Sequence, residues 1–181
     1  MTRLVLMLEE KSAKVFLEGV IPKIAPRLSF TPITHEGKKD LESSLPRKLR
    51  AWREPKVCFL VLRDKDSEDC IALKNRLLKI CGDAGRRDCV VRIAVHSLES
   101  WLLGDMKAVS AAYGKPAIAG LSRKAKFRNP DRLANAEDEL LKIIPEYQKI
   151  SGARAIAPFI DITANLSYSF NVFIKTIQRF A

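Results

Sequence analysis

No window of the 181-residue chain approaches the roughly 20 uninterrupted apolar residues that a membrane span requires. The stretch from Met1 to Glu10 runs straight into a strand-like segment ending in acids. Neither an anchor nor a signal peptide is expected, and the expected location is the cytoplasm. Cysteine is sparse: Cys58, Cys70, Cys81 and Cys89 are widely spaced with no C-x-x-C pair. That spacing excludes a zinc ribbon or a dithiol redox motif and suits a reducing compartment. The phosphate-loop signature G-x-x-x-x-G-K-[ST] is missing, as are internal repeats and low-complexity tracts.

What is present is enough apolar material, 47% of residues, for one substantial core. The chain reads as a single domain over residues 1–181, with an α/β core over 1–105 and a mainly helical extension over 106–181. Its net charge of +11 favours a polyanionic partner, and the distribution sharpens that expectation. Residues 1–56 carry +5, residues 57–110 only +1, and residues 111–181 again +5. A basic periphery around an acid-rich middle suits a metal-dependent enzyme on nucleic acid, because phosphates are attracted while carboxylates hold the metal. A solvated basic surface without any partner gives the same count.

The first half alternates strand and helix patterns. Leu4 to Leu8, Phe30 to Thr34, Val57 to Leu62 and Cys89 to Val95 are short apolar runs of strand type. Between them, Val15, Phe16, Val20, Ile21 and Ile24 recur at helical spacing, as do Leu41, Leu45, Leu49 and Trp52, and then Leu73, Leu77 and Ile80. Strands that are apolar almost throughout, separated by helices, predict a mostly parallel sheet covered on both faces. Beyond Trp101 the pattern is helical, with Leu133, Leu140 and Ile144 on one stripe and Phe170, Phe173, Ile174 and Ile177 on another. The basic stretch Ser122 to Asn129 between them reads as an exposed loop.

The placement of acids carries the functional signal. Glu9 and Glu10 close the first strand, Asp64 and Asp66 the third, and Glu99 follows the fourth. In a parallel sheet these positions share one edge, where ligands of such sheets bind. Two acids one residue apart, as in Asp64-Lys65-Asp66, can reach one divalent ion, which relieves their mutual repulsion. Aspartates are also common after strands for local hydrogen-bonding reasons.

Leu6-Met7-Leu8-Glu9-Glu10 and Val61-Leu62-Arg63-Asp64-Lys65-Asp66 resemble the two signature motifs of the Toprim domain. Topoisomerases, primases and the overcoming-lysogenisation-defect nucleases share that domain. The resemblance implies a Toprim-like, Rossmann-like fold and Mg²⁺ or Mn²⁺ held by Glu9, Asp64 and Asp66. The glycine that usually follows the first acid is replaced here by Glu10. His35-Glu36-Gly37-Lys38, Pro46-Arg47-Lys48-Leu49-Arg50, Leu98-Glu99-Ser100-Trp101 and Ser151-Gly152-Ala153-Arg154 resemble a bacterial Toprim-like family known as domain of unknown function 4276. Its members are similar to defence-associated nucleases and are often encoded beside an ATPase. The implied function is metal-dependent phosphodiester cleavage in anti-phage defence with a partner ATPase. A non-catalytic subunit that retains the fold and binds nucleic acid or a partner protein is the alternative.

Glu99 has the position of a second metal ligand or general base, and equally that of an acid favoured at a helix start. Lys149 and Arg154 can neutralise phosphoryl charge, Lys149 at the catalytic centre and Arg154 on the nucleic acid. His35 and Lys38 follow the second strand and can contact phosphate, with a local hydrogen-bonded turn as the alternative for His35. His96, after the fourth strand, has the same ambiguity. Arg47, Lys48 and Arg50 give the second helix a basic face suited to backbone contacts with nucleic acid, or simply to solvent. A phosphatase of the haloacid-dehalogenase type is disfavoured, because Ser67 and Glu68 follow Asp66 where its motif needs Thr or Val two residues on.

Overall fold

A computed structural model describes residues 3–181. Met1 and Thr2, the first residues of the segment expected to enter a strand directly, lie outside the described residues. Four parallel strands form the sheet in the order β2-β1-β3-β4: β1 (Arg3–Leu8), β2 (Phe30–Thr34), β3 (Val57–Asp64) and β4 (Val90–Ala94). Helices α1 (Lys11–Ile24), α2 (Lys38–Ala51) and α3 (Cys70–Asp83) connect them. The expected parallel α/β sheet is therefore present. The continuous apolar runs of β1 and β3 have the physical cause anticipated from their composition, since both faces are buried there, while edge strand β2 is half-buried.

On one face, Leu4, Leu6, Leu8, Leu60 and Leu62 pack with Phe16, Leu17, Val20 and Ile21 of α1. On the other, Val5, Met7, Phe59 and Val61 pack with Leu41, Leu45 and Leu49 of α2 and Leu73 and Leu77 of α3. Strand alternation sorts these residues, and the same alternation sends Arg63 and Asp64 to opposite faces. Helix α2 runs through Pro46, which had left its start uncertain.

The remaining helices are α4 (Leu98–Leu103), α5 (Met106–Tyr113), α6 (Ala136–Ile143), α7 (Lys149–Ile156) and α8 (Tyr168–Gln178). They join the α1 face of the sheet in one continuous apolar cluster. Trp101 is its centre, fully buried against Phe16, Phe170 and Phe173, with its indole N–H donated to Ser169 Oγ at 2.8 Å. The stripe Phe170, Phe173, Ile174 and Ile177 is the buried face of α8. Two expectations are corrected. The stretch Ser122 to Asn129 is largely exposed as expected, with only Phe127 buried, but it is not an irregular loop: 3-10 turns cover Pro116–Arg123 and Ala125–Phe127. Leu133 precedes α6 rather than sharing a helix with Leu140, because Pro130 starts a separate 3-10 turn. Among the described residues, no helix is long and apolar enough to cross a membrane.

Candidate functional site

Register places the acids together. Leu8 pairs with Leu62 and Asp64 with Ala94, so β1, β3 and β4 end at one level. Glu9 lies one residue beyond its strand, and its Oε2 accepts the Asp64 backbone N–H at 3.2 Å. Asp66 follows in a left-handed conformation, φ 52°, as does His96 beyond β4, φ 64°. The two loops clasp: the Asp66 N–H donates to the His96 carbonyl at 2.9 Å, and His96 Nδ1 lies 3.3 Å from the Asp66 carbonyl. Left-handed residues other than glycine are uncommon and cluster at functional sites, where surrounding bonds hold them.

A cavity of about 290 Å³ opens at this edge, walled by Glu9, Glu10, Asp64, Asp66, His96 and Lys149. The start of α6, from Ala134 to Asp138, closes the far side and adds the carboxylates of Glu137 and Asp138. Desolvation pushes the Asp64 carboxyl well above the usual carboxylate range, and Glu9, Glu99, Glu10 and Asp66 push it further. Burial also raises Glu9, against the opposing pull of Arg63 and of the Asp64 N–H. Burial acts upward on Asp66 too, but the bond and charge of Lys38 and the charge of Arg63 hold it below its ordinary value.

Arg63 is the buried cation among these acids. It is 0% exposed, and its guanidinium pairs with Glu9 at 3.2 Å, Asp66 at 3.3 Å, Glu42 at 3.6 Å and Glu68 at 2.7 Å. It also donates to the carbonyl of Asp64. Arg76 closes the network by bridging Glu42 and Glu68 at 3.0 and 2.6 Å. Sequence reasoning assigned Arg63 no role. The available signal was a lone cation in a strand otherwise buried, on the face opposite Asp64.

Glu99 begins α4 and is 2% exposed, held where Trp101 anchors the helix. Tyr147, unanticipated from sequence, donates its phenol O–H to Glu99 Oε1 at 3.0 Å, and burial together with the Glu99 charge pushes that phenol's pKa up. A β-carbon at Gly152 would lie 2.2 Å from the Tyr147 ring, which accounts for glycine in Ser151-Gly152-Ala153-Arg154. Replacing Tyr147 with phenylalanine leaves a buried carboxylate short of a donor. The expected cost is about 1.5–3 kcal/mol in urea unfolding, and a loss within error of zero would mean that water replaces the phenol.

Lys149 stands over the cavity, 3.1 Å from Glu137 and 3.9 Å from Glu10. Burial lowers its pKa, but Glu99, Glu10 and Glu137 outweigh burial and raise it. Lys38 donates to Asp66 Oδ2 at 2.8 Å from the start of α2. His35 is buried, with Nδ1–H donating to the Leu8 carbonyl at 2.8 Å. The structure does not bring the other basic candidates here. Arg47, Lys48 and Arg50 lie roughly 14–18 Å along α2 from Lys38, towards the opposite edge of the sheet. Arg154 is exposed on α7, and five residues of helix turn it roughly 140° from Lys149.

Residues 8–178 match the family described as Domain of unknown function (DUF4276). The chain belongs to this family. Neither the curated proteins nor the solved structures compared with the chain contained a match. The family assignment covers every residue of the acidic edge and brings no activity with it.

Proposed function

We propose that the acidic edge is a Toprim-like divalent-metal site for phosphodiester cleavage on nucleic acid. The observation that carries this reading is the convergence of Glu9, Glu10, Asp64 and Asp66 on one cavity at the strand ends, with the Asp64 carboxyl raised by burial and by its acidic neighbours. The donor set is all oxygen, which suits a hard cation such as Mg²⁺ or Mn²⁺. No three His, Cys, Asp or Glu side chains among the described residues form a ready-made metal cage. Arg63 and Lys38 instead neutralise Glu9 and Asp66. The residues therefore fit the metal by chemistry, with Glu9, Asp64 and Asp66 as holders once the exposed Lys38 side chain swings away. A bound divalent ion would polarise the phosphate and activate water.

The chain's own groups do the rest. Arg63 fixes Glu9 and the Asp64 carbonyl from beneath, while Lys149 offers a positive charge to the phosphoryl oxygens. Buried Glu99, braced by Tyr147, acts on Asp64 through its charge. Cooperation with a separately encoded ATPase in defence rests on the resemblance to the domain of unknown function 4276 family alone. One observation favours the second reading, a non-catalytic binding subunit: Glu9 and Asp66 are already balanced by cations of the same chain.

Purified protein with plasmid DNA and structured RNA in Mg²⁺ or Mn²⁺ separates the two. Cleavage reduced more than ~100-fold in Glu9→Gln and Asp66→Asn, with nucleic-acid binding retained, supports the enzyme. Metal binding without cleavage in any of these conditions supports the scaffold. Under either reading the charge of +11 predicts salt-sensitive binding, with a log–log slope of about −0.9 for each phosphate contacted on duplex DNA. Affinity flat from 50 to ~200 mM salt would refute an electrostatic interface.

A further inference from the structure

The acidic cavity repels the phosphates of any strand brought to it. Glu9, Glu10, Asp64, Asp66, Glu137 and Asp138 line it, with Lys149 as the lysine or arginine among them. A nucleic acid must therefore be held by cations outside the cavity and near its rim. The basic face of α2 lies too far along its helix to serve.

Residues 122–132 carry five cations, Arg123, Lys124, Lys126, Arg128 and Arg132, against one acid, Asp131. Two residues further on, Ala134 begins the stretch that walls the cavity. Arg123, Lys124, Arg128 and Arg132 are exposed, and among the described residues none of them pairs with a carboxylate. Lys126 is committed to Glu139, which sets the segment against α6, the helix whose first turn forms the wall. Asp131 is turned inward, where it accepts the Ser167 Oγ–H at 2.6 Å and the Ser169 N–H at 2.7 Å. The Ser169 Oγ in turn accepts the N–H of Val95, the neighbour of His96 in the cavity. The segment is thus tied at two points to elements that frame the acids. Connectivity alone keeps Arg132 within about 7 Å of Ala134 along the backbone, and Arg128 within about 22 Å.

Two further features indicate what such a surface takes. The backbone is already ordered by 3-10 turns over Pro116–Arg123, Ala125–Phe127 and Pro130–Arg132, with Phe127 and Pro130 buried, so binding orders side chains alone. The aromatic ring of the segment, Phe127, is in the core and offers no face for a base to stack on. Charge without stacking suits the sugar-phosphate backbone and carries no sequence information.

We propose that residues 123–132 hold the phosphodiester backbone of nucleic acid at the rim of the acidic cavity, chiefly through Lys124, Arg128 and Arg132. The inference rests on the nucleic-acid reading of the acidic edge and names the surface that delivers the strand to it. Binding here needs neither metal nor turnover.

The test is fluorescence anisotropy of a labelled DNA duplex and the matching RNA duplex, with the full-length protein and excess chelator. A triple variant, Lys124→Ser with Arg128→Ser and Arg132→Ser, is compared with Arg27→Ser, Arg53→Ser and Arg87→Ser combined. The second set is exposed just before β2, β3 and β4, at the opposite edge of the sheet. Both variants lower the net charge of +11 by the same three units, so a difference between them reports position rather than total charge. The rim variant is expected to lose at least about tenfold in affinity at ~100 mM salt, and its log–log salt slope on duplex DNA should flatten by about 2.7. The opposite-edge variant should stay within about twofold of wild type, and Arg128→Lys with Arg132→Lys should keep the wild-type slope. Unchanged melting temperatures are expected throughout, since every substituted side chain is exposed. Equal losses in the two triple variants would overturn the proposal, as would the absence of binding at low salt. Poly-glutamate bound as tightly as the duplexes would overturn it in favour of an acidic protein partner. Metal-dependent cleavage that persists in the rim variant would sink this surface alone, and rim-dependent binding with no cleavage by wild type would sink the nuclease reading alone.

Discussion

Replacing Arg63 with methionine is expected to destabilise the protein by about 3–5 kcal/mol, the cost of removing one partner from a buried ion pair. The substitution keeps much of the side-chain volume but leaves Glu9, Glu42, Asp66 and Glu68 facing one another with only Arg76 and Lys38 to balance them. For a chain of this size the melting temperature should fall by roughly 6–20 °C. The pH dependence has a definite sign. Glu68 is held below its ordinary value by the Arg76 bond and charge and by Arg63, and Asp66, despite burial, by Lys38 and Arg63. Stability from carboxyls depressed on folding is present above their unfolded pKa values, about 4, and is lost as pH falls through the folded ones. The gap between wild type and Arg63→Met should therefore narrow below about pH 4. A loss under 1 kcal/mol at pH 7 would show that the carboxylates relax into water and that Arg63 does not hold the site together.

The sheet and the acidic edge were legible for one reason. A strand buried on both faces must be apolar along its length, so the run Val57 to Leu62 announces itself, and the first acids after it mark where burial stops. The strand order, not read from the sequence, puts β1 beside β3, and Glu9 and Asp64 then meet at the shared edge. What stayed hidden depends on contacts distant in sequence. Arg63 needs Glu9 and Glu42 from other elements before it can be buried, and alternation alone gives its face but not its four partners. Tyr147 meets Glu99 across 48 residues, through a close approach that only Gly152 permits. The basic face of α2 was legible as a face. Its distance from the acids was not read, because it follows from α2 running antiparallel to the strands, a consequence of the βαβ connection rather than of local spacing. Phe127 was overlooked because one apolar residue among Arg123, Lys124, Lys126 and Arg128 gives no period, yet it is buried and, with the Lys126–Glu139 ion pair, fixes that segment to the core.

Asp64→Asn is expected to raise the stability of the metal-free protein while abolishing metal-dependent cleavage. The wild-type carboxyl is raised on folding, first by desolvation and then by Glu9, Glu99, Glu10 and Asp66. A carboxyl raised on folding favours the folded state below its unfolded pKa of about 4, and that advantage is lost as pH rises through the folded value. Asparagine has nearly the same size and never acquires the charge, so the variant should melt higher at pH 8, by about 2–4 °C for each kcal/mol of repulsion relieved. The difference should shrink towards zero as pH falls below about 4, where the wild-type carboxyl becomes protonated in both states. Saturating Mg²⁺ or Mn²⁺ should reverse the order, because a divalent ion stabilises the anionic site and has lost one oxygen ligand in the variant. Scanning calorimetry at pH 4, 6 and 8, with and without metal, reads all three effects in one protein pair. A variant that melts lower than wild type at pH 8 without metal would show that Asp64 serves the fold rather than strains it. A metal-induced rise equal in both proteins would place the cation, if one binds, away from Asp64 and would remove the basis for cleavage at this edge.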